Sequence, residues 1–380
     1  MYKVLVACLE NWDTLMELPF VLTEGGCSVD VFCSKNSWLL KNKFYKNWIE
    51  CPSENEEYKK KLLEIAFDSS AGYNWIILGD EKLLKMLSEC DELKNNEAAK
   101  KVLPITDLKN KVLMGSKYGL CRLCEEYGFK TPAFFGYFHQ PMFNPDSLPL
   151  KFPILLKQDL SWGGGGIIQC NSASDFKLAF QKLNPVYPYV FQELIEGKDI
   201  GVEALFNNGV LLNYNAGEVK SYFKSKFSFT TKRSYFLNEE IRILLEKIGA
   251  AFTINGFASI QFIYNELDNQ YYLIECDLRP NFYIPYGRFT GQDFSEAIKK
   301  KINPNYQIAP NTKLANNKTI EVALFYRDII KCLKRRDLLG LLQWVINYKG
   351  YWRFIPLYDF KLFKNMMKEL CFYKLLNRKH

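Results

Sequence analysis

Four consecutive glycines, Gly163, Gly164, Gly165 and Gly166, separate two apolar runs in FPILLKQDLSWGGGGIIQC, residues 152–170, and few chain geometries tolerate such a segment. Strand, glycine loop, strand is the local reading. The run is then either a flexible hairpin turn or a loop whose bare backbone must approach a ligand, because ordering glycine forfeits more chain entropy than ordering any other residue. Backbone N–H groups of such a loop can point at phosphate oxygens without side-chain obstruction. Lys157, held at the end of the preceding strand, adds positive charge beside it. On the run alone the two readings stay open.

The flanking sequence is α/β throughout. KVLVACL (3–9) reads as a buried strand, WDTLMELPFVLTEGG as a helix closed by glycines, CSVDVFC as a second strand and WIILGD (75–80) as a later one, so residues 1–105 form a small parallel βαβ domain. ACLENWD, after the first strand, contains no glycine, which argues against a dinucleotide site of the usual kind. Residues 106–190 begin with a helix capped by Ser116 and closed by Gly128, followed by the strand–glycine–strand unit, a helix over 174–184 and the strand YVFQELI. Residues 191–305 carry a hairpin about Asn207-Asn208-Gly209, a helix over 238–250 capped by Asn238, and the strand pair FASIQFIYN and QYYLIECDL. Residues 306–380 are a helical, basic, aromatic-rich extension.

A second informative stretch is YYLIECDLRPN, residues 271–281. Alternation along a strand puts Glu275 and Asp277 on one face, with Arg279 on the same side where extended geometry persists. Paired carboxylates suit magnesium, which prefers oxygen ligands and keeps waters and nucleotide phosphates for the rest of its shell, and the planar fork of Arg279 can clamp a phosphoryl group. A surface ion pair within the stretch is the competing reading.

Taken in order, these stretches resemble the ATP-grasp superfamily, the fold of D-alanine-D-alanine ligase, biotin carboxylase and carbamoyl phosphate synthetase, over roughly residues 1–300. MGSKYGLCRLCEEYGFKTP looks like the family's opening lysine segment, making Lys117 a phosphate contact; FPILLKQDLSWGGGGI looks like the second lysine, Lys157, and the glycine-rich lid, Gly163 to Gly166. VFQELIEGKDIGVE resembles the adenine hinge, which implies Gln192 with the backbone of Glu193 and Ile195 at the adenine and Asp199 at the ribose. GFASIQFIYN resembles the strand bearing the first metal ligand, here Gln261, and LIECDLRPN resembles the E-x-N-x-R pattern, giving Glu275 and Asp277 as metal ligands and Arg279 as a catalytic cation beside Lys157. Asp277 replaces the usual asparagine, Gln158 the usual proline after the lysine, and Trp162 is bulky for a lid. The resemblance implies a small βαβ domain ahead of an ATP-grasp fold. It also implies ATP and magnesium, with manganese as an alternative, and attack of a carboxylate on the γ-phosphate to give an acylphosphate that an amine then captures.

Composition limits the alternatives. The chain is 48% hydrophobic and 24% charged with no uninterrupted apolar run of membrane length, so a soluble globular protein is expected. Eleven cysteines without regular spacing, several inside apolar runs, point to a reducing, cytoplasmic setting. Cys121 and Cys124 form one C-x-x-C pair, read as helix packing with structural zinc or redox chemistry as the alternative. GEVKSYFKSKFSFTTKRSY (217–235), with Lys220, Lys224, Lys226 and Arg233, is either a substrate loop for an anionic group or a solvated basic loop. Residues 331–380 hold twelve Lys or Arg against three acids, a net +9 where the whole chain is +8. They form either a helical cap on the core or a peripheral contact with an anionic membrane or a protein. The partners expected are a small carboxylate and an amine, no nucleic acid, and a second copy of the chain as an option. Nucleotide binding without turnover and a scaffold recruited through the tail are the competing functions.

Overall fold

The buried apolar runs of the N-terminal third become a parallel sheet covered on both faces, the setting in which strands lose their polar alternation. The computed structural model describes residues 1–94, 98–140, 143–161, 166–311, 313–314, 318–347 and 349–376, with the backbone alone for 372–376. Strands β1 (Tyr2–Ala7), β2 (Cys27–Cys33), β3 (Asn47–Glu50) and β4 (Trp75–Leu78) lie in the order β3-β2-β1-β4. All seven residues of β2 are buried. Ala7 pairs with Leu78, so the loops that follow β1 and β4 leave the sheet side by side. Asp80 ties them together. One carboxylate oxygen caps the Glu81–Ser88 helix by accepting from Leu83 N (2.9 Å), and the other accepts from Leu9 N (2.7 Å) and Glu10 N (3.2 Å). Ligands of parallel sheets bind at this carboxyl edge.

A second sheet holds β5 (Phe134–Tyr137), β6 (Ile154–Gln158), β7 (Ile167–Cys170) and β8 (Tyr189–Glu193) in the antiparallel order β5-β8-β6-β7. It has its own core, in which Ile154, Leu156, Phe176 and Phe191 meet the Ala173–Phe180 helix. The third sheet is antiparallel and six-stranded: β9 (Lys198–Asn207), β10 (Val210–Tyr222), β11 (Thr230–Phe236), β12 (Gly256–Asn265), β13 (Gln270–Asp277) and β14 (Ile320–Ala323), ordered β13-β12-β9-β10-β11-β14. Asn208 and Gly209 take positive φ of 48° and 84° between β9 and β10, as a primed two-residue turn requires. Asn238 Oδ1 accepts from Ile241 N at 2.8 Å and starts the Glu239–Phe252 helix, which packs with the parallel domain into one core. The 217–235 stretch, which shows no clear period in sequence, is mostly strand: β10 runs to Tyr222 and β11 begins at Thr230, leaving 223–229 as the loop.

The final segment contributes β14 to the edge of the large sheet and three helices, Phe325–Arg335, Leu338–Ile346 and Phe360–Leu376. Asp328 is fully buried and locks this segment down. It accepts from Thr231 Oγ1 (3.0 Å), Lys331 Nζ (2.8 Å) and Trp344 Nε1 (2.8 Å) and pairs with Lys232 at 3.2 Å. Among the described residues no helix is long and apolar enough to cross a membrane. Cys121 and Cys124 lie buried in the Lys117–Tyr127 helix, their thiol pKa values pushed up by burial.

Candidate active site

One cavity of about 440 Å³ lies where the three sheets converge, and Lys117, Lys157, Gln192, Glu193, Ile195, Asp199, Gln261, Glu275, Asp277 and Arg279 all reach its wall. Gly163, Gly164 and Gly165, with Trp162, lie outside the described residues. Gly166 closes the loop at φ +77°, a conformation that favours glycine, and its carbonyl accepts from Gln158 N.

The strand end of β6 delivers Lys157 into the cavity. It is 8% exposed, and its Nζ meets no hydrogen-bond or ion-pair partner among the described residues. Desolvation lowers its pKa to about 8, against the opposing pull of Cys121 and Glu275, and neighbouring Lys117 lowers it further. Lys117 opens its helix, and its Nζ donates to the carbonyls of Asp159 (3.1 Å) and Ser161. Asp159, which sequence reasoning passed over, joins the two lysine segments: its carboxylate accepts from Ser116 Oγ (2.9 Å) and Tyr118 N (2.7 Å).

At the hinge, Gln192 is buried with its amide donating to Cys121 Sγ at 3.1 Å. The Glu193 N–H is spent on Ala133 O (2.9 Å) and its carboxylate accepts from Lys151 N (2.8 Å). Asp199 Oδ2 accepts from the Tyr222 hydroxyl, while Oδ1 is buried with no hydrogen-bond partner among the described residues. Burial raises the carboxyl pKa of Asp199.

On the opposite wall Gln261 of β12 faces Glu275 of β13, and the register slips by one residue beyond them, since Phe262 pairs with Leu273. This bulge turns Ile274 and Glu275 both toward the cavity. Arg279 Nε donates to Glu81 Oε1 at 2.6 Å, and its Nη2 meets both Glu81 and, at 3.2 Å, Asp277 Oδ2. The ring of Trp12 lies 5.0 Å from the same guanidinium. Desolvation, then Glu275 and Glu81, push the Asp277 carboxyl well up, with Arg279 only partly offsetting them. Carboxylates crowded in this way would gain from a divalent cation. Among the described residues no cluster of three or more His, Cys, Asp or Glu is arranged to hold a metal by itself. The pair Glu275 and Asp277 therefore fits magnesium, which takes few protein ligands, better than a closed structural site.

Toward β11 the sheet floor is bare at Gly201, and the Arg233 guanidinium lies on it; a Cβ there would stand 2.3 Å from Arg233 Cζ. Buried Glu203 holds Arg233 at 2.7 Å, and the Tyr283 ring lies 4.1 Å beneath the guanidinium. Of the cations singled out in 217–235, Lys226 and Arg233 line the cavity, whereas Lys220 pairs with Glu218 at 2.6 Å and Lys220 and Lys224 do not line it. Arg327, from the final segment, closes this end. It pairs with Asp13 through Nε (2.9 Å) and Nη2, and its guanidinium lies 3.3 Å from the Phe282 ring centre and 4.0 Å from that of Phe229. Glu81, Asp13 and Arg327 carry no local signal in sequence, because each acquires its role from a partner at least 198 residues away.

No protein-family model and no curated protein sequence matches the chain. Solved structures do. An N5-carboxyaminoimidazole ribonucleotide synthetase crystallised with ADP superposes with a TM-score of 0.64 at 14% identity, over 88% of this chain and 85% of that one. The L-amino acid ligase of Bacillus licheniformis gives 0.55 at 16% identity, over 80% and 74%. The biotin carboxylase domain of Hydrogenobacter thermophilus 2-oxoglutarate carboxylase, crystallised as a dimer with MgADP, gives 0.59 at 15%, over 84% and 74%. Likeness at such identities speaks for architecture alone, and the architecture of this chain, a small parallel domain followed by two antiparallel sheets that face each other across one cavity, is the ATP-grasp fold.

Proposed function

We propose that the chain is an ATP- and magnesium-dependent ligase that joins a carboxylate to an amine through an acylphosphate and releases ADP and phosphate. The observation that carries this reading is Lys157, a buried ammonium without a partner among the described residues, facing across one cavity a carboxylate pair and an arginine. A buried, unpaired cation is costly, and here the cost makes sense as preparation for phosphate oxygens. Gln192 and the chain through Glu193 and Ile195 would hold the adenine, the free Oδ1 of Asp199 a ribose hydroxyl, and Lys117 and Lys157 the phosphates. Glu275 and Asp277, with Gln261 beside them, would hold magnesium; manganese fits the same oxygen donors. When bound, the metal neutralises charge on the outer phosphates.

The substrate carboxylate oxygen attacks the γ-phosphorus, the bond to the β-phosphate oxygen breaks, and ADP leaves. The amine nitrogen then attacks the acyl carbon, phosphate leaves with the bonding pair, and the nitrogen gives up a proton. For both steps the chain must align the reacting atoms and keep water from the mixed anhydride. Arg279, held by Glu81 with the Trp12 ring 5.0 Å away, would steady the transferring phosphoryl group. The test is product analysis with paired panels of carboxylates and amines: ADP and phosphate formed only when both substrates are present supports the reading, whereas AMP and pyrophosphate as stoichiometric products overturns it. ATP bound but never consumed with any pair would favour a nucleotide-binding protein that has lost turnover.

A further inference from the structure

The helix Leu338–Ile346, LLGLLQWVI, carries no charge, and its apolar face points outward. Leu338, Leu339, Leu342, Val345 and Ile346 are 46–76% exposed. At 100° per residue they fill one arc of about 120°. The opposite side is fixed to the protein: Trp344 is buried with Nε1 bonded to Asp328, and Gly340 lies so close to Cys332 that a Cβ would stand 2.6 Å from its sulfur. The helix cannot roll to hide its aliphatic face without breaking that buried bond. Exposed Trp352 stands at the helix's C-terminal end, its Nε1 donating to Trp344 O at 2.6 Å. A contiguous apolar patch of this kind marks an interaction surface.

The surrounding charge selects the occupant. Arg335 and Arg336 precede the helix and Arg353 follows it, all exposed. The nearest acid in the chain, Asp337, is spent as the helix cap, accepting from Gly340 N at 2.8 Å. Of the segment's other two acids, Asp359 is buried and Glu369 pairs with Lys41 at 2.8 Å. A second copy applied to this face would set like charges against each other. An anionic bilayer surface instead accepts aliphatic side chains below the headgroups, a tryptophan at their level and arginines against lipid phosphates. We propose that the Leu338–Ile346 face docks the protein on an anionic lipid surface, the helix lying in the plane of the interface.

The experiment is co-sedimentation of the full chain with vesicles of phosphatidylcholine alone and of phosphatidylcholine mixed with phosphatidylglycerol. The expected preference for the anionic vesicles is roughly tenfold or more, since each arginine at such a surface contributes several-fold. Leu339→Asp with Val345→Asp should remove binding while leaving ADP affinity and the melting curve unchanged, because both positions are exposed. Arg335→Gln with Arg336→Gln, which spares the apolar face, should reduce the anionic preference. Absence of binding to anionic vesicles, equal binding to both, or undiminished binding of the Asp variant overturns the proposal. So does a solution dimer that the Asp substitutions convert to monomer, since a second copy would then cover the face.

Discussion

Replacing Lys157 with methionine keeps the length and apolar stem of the side chain and removes only the ammonium, so two opposite effects follow from one change. In the folded protein burial lowers the lysine pKa from 10.5 to about 8, and each unit corresponds to about 1.4 kcal/mol. Holding the ammonium buried at neutral pH therefore costs about 3 kcal/mol relative to the unfolded chain. The sign follows from linkage: between about 8 and 10.5 the unfolded chain binds the extra proton, so this term makes the fold more stable as pH rises through that window. Lys157→Met should accordingly raise the melting temperature of the nucleotide-free protein at pH 7 and flatten its dependence on pH above 8. Nucleotide binding moves the other way. With the ammonium as the binding form, the competent fraction falls from roughly nine-tenths at pH 7 to one-tenth at pH 9, about a tenfold loss of ADP affinity, and the methionine variant should bind weakly at both. Scanning calorimetry without nucleotide and titration calorimetry with ADP at the two pH values measure both arms. A variant that melts lower when empty and binds ADP as the parent does would refute the argument, since Lys157 would then be an ordinary packing residue.

Three further changes probe the rest of the site and the segment packed beside it. Glu275→Gln preserves shape but removes one of the carboxylates crowding Asp277; the rate should fall roughly 10²-fold or more and the magnesium needed for half-maximal rate should rise, as steady-state titration would show. Gly201→Ala puts a methyl group 2.3 Å from Arg233 Cζ, displacing the guanidinium from Glu203. A broken buried pair costs about 3–5 kcal/mol, so the urea midpoint should drop sharply, and an unchanged midpoint would show that the guanidinium has room to shift. Asp328→Ala leaves Lys331 and Lys232 without their buried partner at a similar cost; limited proteolysis should then cut early between 325 and 347 in the variant and not in the parent.

Legibility followed the range of the interactions. Asn208-Gly209, Asn238, Ser116 and Gly128 announce themselves because a turn or cap is decided within four residues, and the structure uses each as such. Glu275 and Asp277 reach one wall because a strand alternates, whatever it packs against; Arg279 reaches it from a bend beyond the strand end, its N–H donating to Asp277 O, and extended geometry does not persist that far. The 217–235 stretch hid two strand ends for a local reason: β10 is irregular against β11 at Val219, Ser221 and Tyr222, and a bulge destroys the period of two on which strand reading depends. β14 has four residues, too few for any periodicity. Long-range pairs left no trace. Nothing in LENWDTL says that Asp13 will meet Arg327, and nothing about Glu81 says that it will hold Arg279.

Those unheralded pairs explain why the cavity can hold cations and carboxylates together without collapsing into one neutral knot. Arg279 is drawn toward Glu81 and Asp277, Arg233 toward Glu203, and Arg327 toward Asp13. Each pairing restrains a guanidinium at a fixed place on the wall. Lys157, at the β6 end, is left as a buried cation with no hydrogen-bonded or ion-paired anion among the described residues, feeling Glu275 only through the cavity. Glu275 sits at the β13 end with Asp277, whose proton affinity burial and its acidic neighbours raise. A polyphosphate laid across this field is attracted at one end and repelled at the other, unless a divalent cation accompanies its outer phosphates. Under the proposed reaction the outer phosphate would be the one that meets the carboxylate wall and Arg279, the polarity an ADP-releasing transfer needs.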